Sequence, residues 1–340
     1  MENPPYIRNL DGDAIYIRGD VFMDQCASAL ACFLCGKPKT GDDSEFDREH
    51  VIPQWLLKTS ELLAATIIMP NHQRVLYSRL TVPCCKQCNR RLARVFENPI
   101  SVGHKNSLYR LAKLFALNDF ELSHKWSSLI LLKFALHDMK WRRDVSNPSS
   151  PSIASFYDWN EIHHLSCIAR TAISGFDVHP DAIGSILIVR TEGFNFNLTT
   201  NMHPLSLMLS VDGLCLISVP CDGTYAAKLH RDLVRRLQGL ALNRLQSLEL
   251  FCRYTAAASL LWPRLVFETI PEGVIQIRGS VPFSFHPGKE KLRRAYGRLL
   301  DYYLSTLGVY GEKSDIDKIK VLKGEHTFFS QDIKAVLPTT

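Results

Sequence analysis

The chain has no long apolar run. The nearest, Leu129 to Leu136, is interrupted by Lys133 and falls well short of the roughly 20 residues that cross a bilayer. No glycine-rich phosphate loop occurs, so nucleoside-triphosphate hydrolysis is not expected. There is no Gly-x-Ser-x-Gly elbow either, and no internal repeat or low-complexity segment. Met1-Glu-Asn-Pro-Pro has neither a basic n-region nor an apolar h-region, so no signal peptide is expected. The chain is therefore expected in the cytoplasm, with no membrane contact. There, ten cysteines are not expected to form a disulfide framework, and short paired spacings point to a metal site.

What is present is ordinary for a globular protein: 340 residues, 46% hydrophobic and 22% charged, enough for one large or two medium domains. The net charge of +6 hides a segregation. Residues 1–70 carry 6 basic and 11 acidic side chains, whereas 71–115 carry 9 basic ones against Glu97 alone. A second basic stretch, 226–300, holds 13 basic and 5 acidic residues. Such patches suit a nucleic-acid partner, although each also reads as a solvated helix face.

The pattern predicts an α+β protein. Tyr6 to Ile17 reads as a β-hairpin turning at Asp11-Gly12. Helical spacing covers about 104–117, 123–142, 159–174, 226–261 and 289–306. Strands are expected at 183–190, at 205–219 (a hairpin turning at Asp212-Gly213), at 274–278 and at 319–322. Ser146-Asn-Pro-Ser-Ser-Pro is the best linker candidate. The division expected is a module over 1–118 and a mixed helix-and-sheet accessory domain over 119–340.

Two pairs, Cys32-x-x-Cys35 and Cys85-x-x-Cys88, stand 49 residues apart. Two such knuckles can present four thiolates to one tetrahedral zinc, a closed shell with no place for water and therefore structural. Cys84 makes the poorer knuckle, Cys26 reads as a bystander, and Cys215, Cys221 and Cys252 read as core. His163 and His164 lack a carboxylate at metal spacing and read as surface residues. Between the knuckles, Asp47-Arg48-Glu49-His50-Val51-Ile52-Pro53 sets a carboxylate beside an imidazole at a strand end, and Asn89 directly follows the second knuckle.

Cys-x-x-Cys, then Glu-His-Val-Ile-Pro-x-Trp-Leu-Leu, then Cys-x-x-Cys-Asn with Glu97 nine residues past the last cysteine, resembles the HNH endonucleases, specifically their zinc-stabilised ββα-metal bacterial subgroup. The resemblance spans about residues 26–98 and implies roles. His50 is the general base. Glu49 and Asn89 hold one catalytic Mg²⁺ or Mn²⁺, which stabilises the leaving oxygen. Cys32, Cys35, Cys85 and Cys88 hold the structural Zn²⁺. DNA, duplex in preference, is cut to 5′-phosphate and 3′-hydroxyl ends. Lys86, Arg90, Arg91 and Arg94 lie on the helix expected to face phosphate. Asn71 is the candidate for the family's loop-tying asparagine. Glu97, about 12 Å beyond Asn89 along a continuous helix, is expected to support the site rather than share the ion. Two departures are Glu49 where many members carry Asp, and Arg90-Arg91-Leu92 where small or aromatic residues often follow the Cys-Asn pair. Residues 150–340 carry no family resemblance. Through them, a regulatory protein partner or a homo-oligomer is expected, as in a phage-defence effector that restrains a nuclease head. The alternative is a zinc ribbon that grips nucleic acid without cutting it.

Overall fold

The computed structural model describes residues 4–10, 12–39, 43–106, 120–270, 273–278, 287–310 and 316–329. It is an α+β protein that divides into two compact units, 1–179 with 267–276, and 180–266 with 277–340. Residues 119–179, read from the sequence with the second half, thus belong to the first unit. The helix expected over 104–117 lies largely outside the described residues.

In the first unit, β1 (Tyr6–Arg8) and β2 (Ala14–Ile17) form the expected hairpin, with Gly12 at φ +80 in its turn. β3 (Phe46–His50) ends at Val51-Ile52, both fully buried, and Pro53 opens the short helix α1 (Gln54–Thr59). β4 (Thr66–Ile68) and β5 (Arg74–Leu76) form a small hairpin. β6 (Thr81–Cys85) pairs antiparallel with β3, from Phe46 opposite Cys85 to His50 opposite Thr81. The chain then enters α2 (Lys86–Leu92), a π-helical turn over Ala93–Glu97, and α3 (Asn98–Asn106). The order β3, β6, α2 is a ββα unit, with the second cysteine pair at its strand-to-helix corner.

Two longer helices support it. In α4 (Phe120–Asp138), Ser123, Ser127, Ser128 and Lys133 are buried along with the apolar residues. A helix buried on all its faces belongs to an interior. It packs against β6 and the π-helical turn. α5 (Trp159–Ser174) starts at Asp158, whose carboxylate accepts the Asn160 and Glu161 N–H groups, and stops at Gly175, φ +70. The Ser146–Pro151 stretch lies within the connection between α4 and α5, residues 139–158, where the Asp144 and Asn147 side chains each accept a backbone N–H two residues on. It links two helices of one unit rather than two domains. His163 and His164 are not surface residues. His163 Nε2 lies 2.7 Å from the Ile17 carbonyl oxygen, and the buried His164 stacks on Phe267 with centroids 3.6 Å apart. The unit's next strand is β7 (Asp177–Val178).

The second unit holds a five-stranded sheet. β8 (Ser185–Thr191), β9 (Phe196–Met202), β10 (Leu205–Val211) and β11 (Leu214–Val219) are antiparallel, in the order β8-β11-β10-β9. The turn between β10 and β11 sits at Asp212 (φ +44) and Gly213 (φ +84), which matches the expected hairpin. β9 has no counterpart in the sequence reading; its Asn and Thr residues carry no apolar alternation, and seven register pairs with β10 hold it.

The single helix expected over 226–261 is three. α6 (Tyr225–Leu229) and α7 (Arg231–Leu237) end at Gly239, φ +83, where β12 (Ala241–Leu242) joins β8 in parallel. Asn243 and Gln246 then form a reciprocal capping box that starts α8 (Arg244–Ser259). The second basic stretch is correspondingly not one face. Arg253 is buried against Glu249, Arg235 meets Asp232, Arg294 meets Glu290 and Arg293 meets Glu325.

Between residues 267 and 276 the chain contributes β13 (Phe267–Ile270) and β14 (Val274–Ile277) to a sheet with β7 in the first unit. It closes with α9 (Lys289–Thr306), bounded as expected, and α10 (Lys318–Leu322). The latter replaces the short strand expected at 319–322. The Asp317 carboxylate caps Ile319 and Lys320 and makes it helical. No helix among the described residues is long and apolar enough to cross a membrane.

Candidate metal centre

The sequence builds the first knuckle as a tight turn. Gly36 follows Cys35 at φ +71 and donates its N–H to the Cys32 carbonyl, while Cys32 N–H donates to Lys37 O across 2.8 Å. A side chain at position 36 would meet the Tyr6 ring at 2.6 Å, so the turn demands glycine twice over. The fully buried Arg170 of α5 donates through Nε to the Leu34 carbonyl and holds the knuckle from behind. The second knuckle straddles the end of β6 and the first turn of α2.

These two turns bring the sulfurs of Cys32, Cys35, Cys85 and Cys88 within 4.8 Å of one another. Four thiolates at about 2.3 Å from a tetrahedral zinc stand about 3.8 Å apart, so the cluster fits that ion. The Cys85 N–H also points at Cys32 Sγ across 3.4 Å, a contact that favours thiolate. Hydrogen bonds from Cys35 and the other neighbouring thiols hold Cys32 well below the ordinary thiol value, while Cys35 and Cys88 are pushed up by Cys32 first of all. Cys84 lies 3.9 Å from Cys32 but outside the quartet, with its thiol pushed up by Cys32 and by burial. Cys26 is buried beside the first knuckle, and Cys215, Cys221 and Cys252 are buried in the second unit, as a core assignment requires.

The side chains expected at the catalytic ion are distributed differently from the expectation. Along β3, Asp47 and Glu49 share one face, because strand side chains alternate. Asn89, in the first turns of α2, donates Nδ2 to Asp47 Oδ2 across 3.1 Å. Glu49 is buried and accepts a hydrogen bond from Lys133 of α4 at 2.7 Å. The same ammonium stands 3.5 Å from Glu97 Oε1. Burial opposes the Lys133 charge, but the Glu49 and Glu97 carboxylates outweigh it and raise the pKa. Glu97, in turn, is pushed up by burial and pulled back by Lys133. The cation beside Glu97 is thus a buried lysine.

His50 closes β3 and is half-buried; its Nδ1 is buried without a hydrogen-bond partner among the described residues. Burial pushes the imidazole below its ordinary value, opposed by the Glu49 carboxylate. Asn71, in the turn between β4 and β5, donates Nδ2 to the Arg142 carbonyl at 2.8 Å and to Gln73 Oε1 at 3.0 Å. Of the four basic residues on α2 and the π-helical turn, Lys86, Arg90 and Arg94 are exposed, whereas Arg91 pairs with Asp13 at 2.5 Å and pins α2 to the first hairpin.

Two positions that the fold draws into this cluster, Asp47 and Lys133, have no role in the sequence analysis. Lys133 counted only as an interruption of an apolar run, and that interruption was the available signal, since a lone lysine inside an apolar helix needs a buried counter-charge. Comparison with protein-family models, with curated proteins and with solved structures returned no match.

Proposed function

We propose that this chain is a metal-dependent endonuclease of the HNH type that hydrolyses DNA phosphodiester bonds. The observation that carries the reading is the convergence of four thiols at the corner of a ββα unit, which sets Asn89 directly against the acidic face of β3. The thiol quartet would hold a structural Zn²⁺, and zinc affinity there is also folding energy. An acidic side chain of β3 and the Asn89 amide oxygen are hard ligands suited to Mg²⁺ or Mn²⁺. When bound, such an ion supplies Lewis-acid charge at the leaving oxygen. His50 takes the proton from the attacking water, and its lowered pKa keeps the imidazole unprotonated and ready at neutral pH. Lys86, Arg90 and Arg94 are free to meet backbone phosphates. By resemblance, the products carry 5′-phosphate and 3′-hydroxyl ends. The second unit would supply regulation, through a protein partner or self-association, in a defence setting.

A plasmid-nicking assay with Mg²⁺ or Mn²⁺ tests this. Wild type is expected to convert supercoiled DNA and His50→Ala to lose that conversion. Equal cleavage by both, or none by wild type on any duplex or single-stranded substrate, refutes it. The commitment of Glu49 to Lys133 favours one second reading, a zinc-stapled nucleic-acid-binding module without catalysis. It predicts salt-dependent DNA binding that is indifferent to His50 and Asn89.

A further inference from the structure

In the HNH pattern the acid next to the histidine shares its ion with the residue after the last cysteine. Here that acid is Glu49, and it is already occupied. Its side chain is withdrawn from solvent and hydrogen-bonded at 2.7 Å to a lysine with no exposed surface. Turning Glu49 toward an ion beside Asn89 would leave Lys133 in the interior with Glu97 alone, 3.5 Å away.

Asp47 meets the requirement instead. It lies two residues earlier on the same face of β3, opposite Cys84 and so nearer the zinc corner. It is partly exposed, which leaves room for water and phosphate in an ion's remaining positions. Its Oδ2 accepts the Asn89 Nδ2 hydrogen at 3.1 Å, so carboxylate and amide stand within reach of one another, and each has a further oxygen that can serve a cation. One carboxylate plus one neutral oxygen, completed by water and substrate phosphate, is an ordinary Mg²⁺ environment.

We propose that Asp47 and Asn89, rather than Glu49 and Asn89, hold the catalytic divalent cation, and that Glu49 is a buried anion whose function is to fix α4 through Lys133. This rests on the nuclease reading above.

The test is Mn²⁺ titration of the zinc-loaded full chain, with bound ion read by the loss of the free Mn²⁺ electron-spin-resonance signal. Asp47→Asn and Asn89→Ala are expected to weaken Mn²⁺ binding by about tenfold or more at unchanged zinc content and circular dichroism. The double variant Glu49→Gln/Lys133→Met, which removes both members of the buried pair, is expected to bind as wild type does. Wild-type affinity in Asp47→Asn overturns the proposal, as does loss of the ion in a folded double variant; should the double variant not fold, Asp47→Asn alone decides. Nicking is measured in parallel. Mn²⁺ held through Asp47 without any cleavage refutes the nuclease reading and leaves the site standing, whereas a wild type that binds no Mn²⁺ overturns both.

Discussion

Lys133 donates a 2.7 Å hydrogen bond to Glu49 from a helix 84 positions further along the chain, and neither group faces solvent. The pair joins α4 to β3, so the ββα unit does not end where its motif ends. A buried pair of this kind is costly to break from one side, because the partner keeps its charge in a poor solvent.

Replacing the lysine should therefore be severe. Lys133→Met leaves Glu49 and Glu97 without a counter-ion, and urea unfolding is expected to show a loss of about 3–5 kcal/mol. Glu49→Gln and Glu97→Gln added to Lys133→Met should recover much of it. A single variant as stable as wild type would show that Lys133 is not charged in the fold.

Metal content separates the cysteines. One zinc per chain is expected by elemental analysis. Cys88→Ser should lose it together with cooperative unfolding of the first unit, because structural zinc contributes about 10 kcal/mol or more to comparable small sites. Cys84→Ser should retain the metal despite its 3.9 Å approach to Cys32, since it stands outside the quartet. Zinc lost equally from both variants would put Cys84 among the ligands.

Gly36→Ala probes the knuckle without touching a ligand. The left-handed φ of +71 and the 2.6 Å approach to Tyr6 both oppose a Cβ. Expected is a fall in stability of about 1–3 kcal/mol and faster zinc loss to a chelator. Unchanged chelation kinetics would mean that the turn tolerates a side chain.

Acid should unfold the protein from a mildly low pH. Burial holds His124 down to about 3, His230 down to about 4, and His164 well below its ordinary value. Each is neutral when folded but gains a proton near pH ~6.5 when unfolded. The stability tied to their neutral state is therefore complete above that pH and is lost as pH falls from there toward the folded values. Within this window each histidine costs up to about 1.4 kcal/mol per pH unit. Urea midpoints at pH 7.5, 6.0 and 5.0 should fall progressively, and His230→Gln should flatten the slope. A midpoint independent of pH between 7.5 and 5.0 would contradict the burial of these rings.

Much of the fold was legible because its signals are local. The hairpin at Tyr6–Ile17 and the β10–β11 turn follow from Asp-Gly chemistry, and the helices at Trp159–Ser174 and Lys289–Thr306 from apolar period and terminal residues. Where local signals competed, reading by period alone failed. Gly239 and the Asn243–Gln246 box divide a stretch with a continuous helical period, and Asp317 turns a β-branched run into a helix.

By itself the amino-acid order determined which residue types stand ready for chemistry: two cysteine pairs at knuckle spacing, an acidic strand ending in His50, and an asparagine directly after the last cysteine. Only the folded chain decided how they are allotted. Asn89 meets Asp47 across 42 positions, while Glu49 is claimed by a lysine that in one dimension merely interrupts an apolar helix. The physical reason is that spacing along a chain encodes bonds to near neighbours. The charge of a buried group is compensated by whatever the tertiary packing brings beside it.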